Sequence, residues 1–542
     1  MPISFHVATG MHDMTTKNSF TIGKVIGGNL NTGLIVRVDE NIAIEELTSG
    51  NYFKIIGRDG YVFYGIAENI KLSDMDKKIY RRVNTIPLDM LNFYRGTSVY
   101  GLLTIKPILM ETPMGEIKNT TSIPSHFSSV EIAGQDDIKR IFSNNSDCAY
   151  KIGNLIGNPD LNIYIDLKKI TERSTAVFGK SGSGKTFFVL PLIAEIISRK
   201  VCSVLIFDMH NDYAYVLKGD KENYKGLKNL EKCSDKVKVI SLDPMFSKRI
   251  NHVPDAYLNI FYDQILPEDI EPLSSLIALT DVQINTIYSL YRNLESSWFP
   301  HIIVDNPSPE INKLLSTRKL SDATYHALNR NLSRFGQYKF ITSRWGFELA
   351  DNEKTTSIEE ICNDLARGYS IVIEFGRYSN DLLAYLFVSN FISRRIHQKY
   401  VQLKELYEGG TSAEPKPLII VVEEAHKFLE KDIADYTVFG TIAREMRKYN
   451  VTLLLIDQRP SSIDDEVMSQ ISTRIVYSLT DENDINAVLT GTADSNYMKN
   501  IITSLSTKKQ AVIFGYAVPA PLPIDVVEYN EKIVDYSLSY SA

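Results

Sequence analysis

Short runs of alternating apolar and polar positions open the chain. Segments 19–26, 33–38, 52–57, 61–70 and 99–107 are rich in β-branched and aromatic residues, the pattern of half-buried strands. Gly27-Gly28, Gly50, Gly57 and Gly60 punctuate them, and Arg58-Asp59-Gly60 between two runs is a hairpin signal. Short strands at this spacing predict a small barrel or sandwich, assigned to residues 1–125. Residues 126–170 read as a connector, with a helix over 136–142 and a strand over 161–167.

The pattern changes at 171. Buried runs at 175–178, 201–207 and 237–242 alternate with helical periodicity at 187–198, which is the grammar of a mostly parallel sheet. Residues 171–254 therefore form the first part of an α/β core. Residues 255–365 show helical periodicity at 273–295 and 321–335 and no clear strand, so they are expected to be an α-helical insertion. Sheet grammar resumes over 366–542, with strands at 370–375, 418–422, 452–456, 473–479 and 510–514 and helices at 382–400 and 437–448. Residues 405–416 read as an exposed loop.

Composition narrows the class. A length of 542 residues implies several folded units. A net charge of −7 excludes a surface that is basic throughout, so any nucleic-acid contact must be local. Cys148, Cys202, Cys233 and Cys362 are widely spaced, which argues against a zinc site or disulfide framework and fits a reducing, cytoplasmic setting. No apolar stretch approaches the ~20 residues of a membrane span, and the N-terminus lacks the layout of a signal peptide.

The chemistry concentrates in a few segments. Gly179-Lys180-Ser181-Gly182-Ser183-Gly184-Lys185-Thr186 matches the phosphate-binding loop GxxxxGK[ST], with a strand before it and a helix beginning near Phe187. Its glycines let successive N–H groups converge, and the helix N-terminus adds positive potential. Lys185 is expected to reach the β- and γ-phosphates of ATP, and Thr186 to hold Mg²⁺. Glu423 and Glu424 end the apolar run 418–422, at the strand edge where ligands bind in such sheets. Glu423 suits Mg²⁺ contact through water, and Glu424 suits the base that polarises the attacking water. Asp208 follows a buried strand at the same edge and is grouped with the nucleotide-binding residues, although an acid there is often only a cap. Gln458 follows another buried strand, where an amide can orient water or sense the γ-phosphate. Arg444 and Arg447, at i and i+3, share a helix face and suit arginine fingers acting on a neighbouring subunit; surface ion pairing is the plainer reading.

Together these segments resemble the HerA branch of the HerA/FtsK family of P-loop motor ATPases. The carrying residues are GKSGSGKT at 179–186, DMHNDY at 208–213, VVEEAHKF at 421–428, IAREMRKYN at 442–450, DQRPSSID at 457–464 and SQISTRIV at 469–476. The strand-rich start is similar to that family's N-terminal barrel. Asn211-Asp212 stand where the family more often has Gly-Glu. The resemblance implies a RecA-like core, a hexameric ring and movement of double-stranded DNA through a pore. It implies Glu424 as base, Gln458 as sensor and Arg444 or Arg447 acting across a subunit boundary. It also implies a partner nuclease or NAD-hydrolase effector, in DNA end processing or anti-phage defence.

A second reading is a ring-shaped regulatory ATPase that organises a partner enzyme with little DNA motion, favoured by the acidic balance. A third is a nucleotide-binding protein without motor function. Lys218, Lys221, Lys225 and Lys228 form a basic run, but interleaved acids make it equally a solvated face and not a DNA-contact assignment.

Overall fold

The computed structural model describes residues 21–527 apart from 48–49, 74–85, 88–89, 91–93, 95–98, 143–145, 157, 220–222, 305–306, 344–353, 432–433, 435–436, 493–494 and 507–508. The chain divides into two compact units, 1–141 and 142–542.

The first unit is built on strands β1 (Thr21–Asn29), β2 (Gly33–Val38), β3 (Tyr52–Ile56), β4 (Val62–Leu72), β5 (Gly101–Glu111), β6 (Ile117–Asn119) and β7 (Ser129–Ile132). They run in the order β2-β1-β7-β3-β4-β5-β6, and an added β2–β5 pairing closes the sheet into a barrel. Alternation sets what faces inward: Leu34, Val36 and Val38 of β2 are buried while Ile35 and Arg37 face outward. The β3–β4 turn uses Asp59 at φ 54° and Gly60 at φ 81°, the left-handed pair that matches the twist of a hairpin. Residues 126–170, read from sequence as a connector, are largely structural. They supply β7, which pairs with both β1 and β3. They also supply the hairpin β8 (Ala149–Leu155) and β9 (Asn158–Asp166) of the second unit.

The second unit carries a large sheet of 13 strands among the described residues. Along the chain its further strands are β10 (Thr175–Phe178), β11 (Ser203–Asp208), β14 (Val237–Ser241), β15 (Ala256–Leu258), β18 (Thr355–Thr356), β19 (Ser370–Glu374), β20 (Leu418–Glu423), β21 (Val451–Asp457), β22 (Thr473–Tyr477), β23 (Gln510–Gly515) and β24 (Leu522–Val526). Two small pairs stand apart from it: β12 (Val216–Lys218) with β13 (Asn223–Lys225), and β16 (Ile260–Phe261) with β17 (Ile341–Thr342). The order is β18-β15-β14-β19-β11-β20-β21-β10-β22-β23-β24-β8-β9. Pairing is parallel from β18 to β22 and antiparallel from β22 to β9. Strands β10, β11, β19, β20, β21 and β22 are buried along their whole length, which explains their mostly apolar sequences. This is an α/β core with a mostly parallel sheet, and the glycine loop follows β10.

The helical insertion is present, with helices Asp281–Leu294, Trp298–Ile303, Pro309–Ser316 and Asp322–Leu332. Trp298, Phe299 and Phe335 are fully buried at its centre, and Trp298 Nε1 donates to Ile265 O at 2.9 Å. Strands do occur there, against the sequence reading: β15 and β18 extend the parallel edge. Each is two or three residues long, too short to show a period. Residues 405–416, read as a loop, begin inside the helix Leu382–Glu408.

Candidate functional site

All four residues of β10 are buried, and the glycine loop leaves its end for the helix Lys185–Ser198. Gly182 and Gly184 sit at φ 72° and 99°, where a side chain would strain the backbone. Gly179 is needed for a different reason: a Cβ there would lie 2.7 Å from Tyr477 Cβ. Lys185 folds back over the loop, and its Nζ donates to Gly179 O at 2.6 Å and Lys180 O at 2.9 Å. Burial lowers the Lys185 ammonium below its usual range, while Asp457, Glu424 and Glu423 act in the opposite sense. The helix N-terminus behind the loop favours anions.

Two parallel neighbours bring the acids to the same edge. β21 lies between β10 and β20, with Phe178 beside Asp457 and Glu423 beside Ile456. Glu423 is buried; its Oε1 accepts from the Tyr213 hydroxyl at 2.9 Å, and its Oε2 has no partner among the described residues. Burial first, then the charge of Asp208, raises its carboxyl to about 8. Glu424 has φ 50°, uncommon for a residue with a side chain. Its Oε1 accepts from Gln458 Nε2 at 2.8 Å. The two residues singled out separately in the sequence therefore meet. The segments 181–188, Glu423, Glu424, Asp457, Gln458, His210 and Asp212 line one cavity of about 1240 Å³. A glycine cradle, a lysine at its mouth and a buried carboxylate oxygen left free fit a nucleoside triphosphate with a divalent cation. Thr186 and Phe187 line the cavity, and the Phe187 ring meets Tyr224 edge to face at 5.4 Å.

Asp208 is placed differently. Its carboxylate is fully buried and accepts from Asp212 N at 2.8 Å, Tyr213 N at 2.9 Å and Ala214 N at 3.1 Å. It does not line the cavity. It shapes the turn that puts Asp212, His210 and Tyr213 in place, which is the capping role an acid after a strand often has. Burial still outweighs those bonds and lifts it to about 7.

Neither arginine lines this cavity. Arg444 Nη2 lies 3.4 Å from Glu466 and 3.8 Å from Asp464. Arg447 Nη2 lies 3.3 Å from Glu172, and both residues precede the first residues of parallel strands β21 and β10. Arg447 is thus at the sheet edge opposite the glycine loop. In the basic run, Lys228 Nζ is drawn to Val237 O at 2.8 Å and to Asp255 at 2.9 Å, which is a packing role. Lys218 and Lys225 sit on the β12–β13 hairpin, and Lys221 lies outside the described residues.

Sequence reasoning did not assign Tyr213, Tyr385, His426 or Asp457. Tyr385 OH donates to Glu423 O at 2.9 Å. His426 Nδ1 lies 2.9 Å from Asp457 Oδ2. Tyr213, His426 and Asp457 stand inside the motifs quoted above; their partners are 31 to 210 residues away, so the signal lies in register and not in spacing.

Residues 150–396 match the family model "Helicase HerA, central domain". The "DNA double-strand break repair helicase HerA" of Sulfurisphaera tokodaii is 24% identical over 506 residues, 91% of this chain and 92% of that protein. Its counterpart in Pyrococcus furiosus is 20% identical, covering 89% and 88%. Among solved structures, the bacterial conjugative coupling protein TrwB aligns with a TM-score of 0.45 at 12% identity, over 73% of this chain and 93% of that one. Within the described residues no helix is long and apolar enough to cross a membrane. The HerA central-domain match runs from β8 to the helix after β19, and HerA helicases align over most of both chains, so this chain is similar to HerA-type P-loop ATPases over most of its length.

Proposed function

We propose that this protein is an ATP-hydrolysing motor that moves or unwinds double-stranded DNA as a hexameric ring, working with a nuclease or NAD-hydrolase effector in DNA end processing or anti-phage defence. The observation that carries the reading is the meeting of the glycine loop, Glu423, Glu424 and Gln458 in one cavity that no arginine finger candidate of the same subunit enters. A site complete in phosphate cradle and base, with its arginines at other faces, fits completion by a neighbour.

In this reading the backbone N–H groups of 179–186 and Lys185 hold the phosphates of ATP. Lys185 exchanges its two carbonyl partners for phosphate oxygens, which are stronger acceptors. Thr186 and Glu423 Oε2 would hold Mg²⁺, which would supply charge neutralisation to the phosphates. Glu424 accepts the proton of the attacking water, and Gln458 holds the Glu424 carboxylate and orients that water. Arg444 or Arg447 from the adjoining subunit stabilises charge on the transferred group. The relatives named as DNA helicases support duplex DNA as cargo.

Mass measurement of the assembly, alone, with a non-hydrolysable ATP analogue and with duplex DNA, tests the ring. A six-subunit mass with both ligands is expected. A monomer with full, concentration-independent ATP turnover that survives Arg444→Ala plus Arg447→Ala would remove the inter-subunit site.

A further inference from the structure

An acid beside a turn often caps only its own helix, as Asp481 does with Asn483 N and Asp484 N. Asp457 does more. It is the last residue of β21, 1% exposed, and its carboxylate accepts four N–H groups from two separate turns. Gln458 N and Arg459 N approach Oδ1 at 2.6 and 2.7 Å. His426 N and His426 Nδ1 approach Oδ2 at 2.6 and 2.9 Å. An ionised carboxylate only accepts, so Nδ1 carries the hydrogen. The Asp457 carbonyl takes a fifth, Gly179 N at 3.2 Å.

These bonds join the glycine loop, the turn that carries Glu424 and the turn that carries Gln458. The Glu424 backbone, at φ 50°, occupies a conformation that persists only where its surroundings over-determine it. Two residues on, His426 N is pinned to Asp457; the intervening Ala425 N is 3.4 Å from Ile456 O. His426 Nε2 lies 3.8 Å from Glu424 Oε2, so the ring stands between the two carboxylates. The bond to Asp457, outweighing partial burial, holds the His426 imidazole above its usual range, and a cation there suits both neighbours. With every Asp457 oxygen engaged, Asp457 has no lone pair set aside for a metal, in contrast to Glu423.

We propose that Asp457 is a positioning residue for ATP hydrolysis, which with His426 holds the Glu424 and Gln458 turns at the spacing where base and amide meet. The proposal rests on Glu424 being the base. Loosening such a support displaces the base from the attacking water without emptying the phosphate cradle, so it costs turnover and spares binding.

The test uses the full chain with ATP, Mg²⁺ and duplex DNA. Steady-state kcat and KM, affinity for a non-hydrolysable ATP analogue, and thermal melting are measured for Asp457→Asn, His426→Ala and His426→Asn. Asp457→Asn is expected to lower kcat about tenfold or more, with analogue affinity within about twofold of the parent. His426→Ala should fall in the same direction. His426→Asn, which returns a side-chain N–H to the Nδ1 position, should recover part of the loss. His426 is partly exposed, so its variants read out the idea even where Asp457→Asn folds poorly. Normal kcat in both His426 variants, equal loss in Ala and Asn, or analogue affinity falling in step with kcat would each overturn the proposal. Glu424→Gln run alongside separates the two levels: a stalled Glu424→Gln with active His426 variants overturns only the positioning role, whereas an active Glu424→Gln overturns the assignment of the base.

Discussion

Strands β11 and β20 are parallel neighbours, each ends in an acid at the same sheet edge, and the two acids have opposite fates. Asp208 at the end of β11 has its oxygens consumed by three backbone N–H groups. Among the described residues, Glu423 at the end of β20 keeps one buried oxygen without a partner, and the Glu424 carboxylate beside it meets a side-chain amide and, at 3.8 Å, an imidazole. Position after a strand therefore does not make an acid functional. What matters is the valence left once the local backbone is satisfied.

The contrast can be broken by substitution. Lys185→Ala should have the largest effect, abolishing detectable binding of a fluorescent ATP analogue, because it removes the cation that compensates the phosphates. Retained binding would detach the glycine loop from the acids across from it. Glu423→Gln should raise the Mg²⁺ needed for half-maximal turnover by about tenfold or more, since the amide keeps the Tyr213 bond and loses the charge. Asp208→Asn should do neither. Its effect belongs in melting, with a loss of ~1–3 kcal/mol if one turn N–H is left unsatisfied. An Mg²⁺ requirement that shifted as much as in Glu423→Gln would erase the distinction between the two strand ends.

Protonation sharpens the same comparison with a smaller signal. Asp208 is raised from 3.8 to about 7 and Glu423 from 4.5 to about 8, both chiefly by burial. The folded state therefore binds these protons more tightly than the unfolded one. The stability they contribute is complete below the unfolded values, near pH 4, and is lost as pH rises through 7 and 8. Melting temperature of the nucleotide-free protein should fall across that window, and the fall should be shallower in Asp208→Asn. An unchanged slope would assign the proton uptake elsewhere. The smallest effect is expected for Arg447→Ala on stability of the isolated chain, ~0–1 kcal/mol, since its pair with Glu172 is half exposed on both sides.

Much of this was legible in the sequence, for physical reasons. The span of β10 is the one its sequence predicts, because a strand buried on both faces is mostly apolar. The glycine loop and the acid pair carry their chemistry in their residue types. Three things were not legible. The segment 126–170 looked like a connector because β7 and β8 depend on pairings with distant strands; the strand read at 161–167 is β9, which pairs with its neighbour β8. β24 was not assigned from sequence: Pro523 stands inside it, and proline is unusual within a sheet, yet Leu522, Pro523 and Ile524 are buried between β23 and β8. Asp208 and Asp457 look alike as acids after strands. Only register shows that one serves its own turn and the other joins three.

The most direct measurement is steady-state ATP turnover of the parent protein and of Glu424→Gln, each with and without duplex DNA, at low and high salt. The expected result is turnover that rises with DNA in the parent, a rise that weakens with salt as phosphate contacts are screened. In Glu424→Gln turnover should fall by ~10²–10⁴ while ATP stays bound. Turnover indifferent to DNA, or a Glu424→Gln protein as fast as its parent, would contradict the assignment of this cavity to a DNA motor with Glu424 as its base.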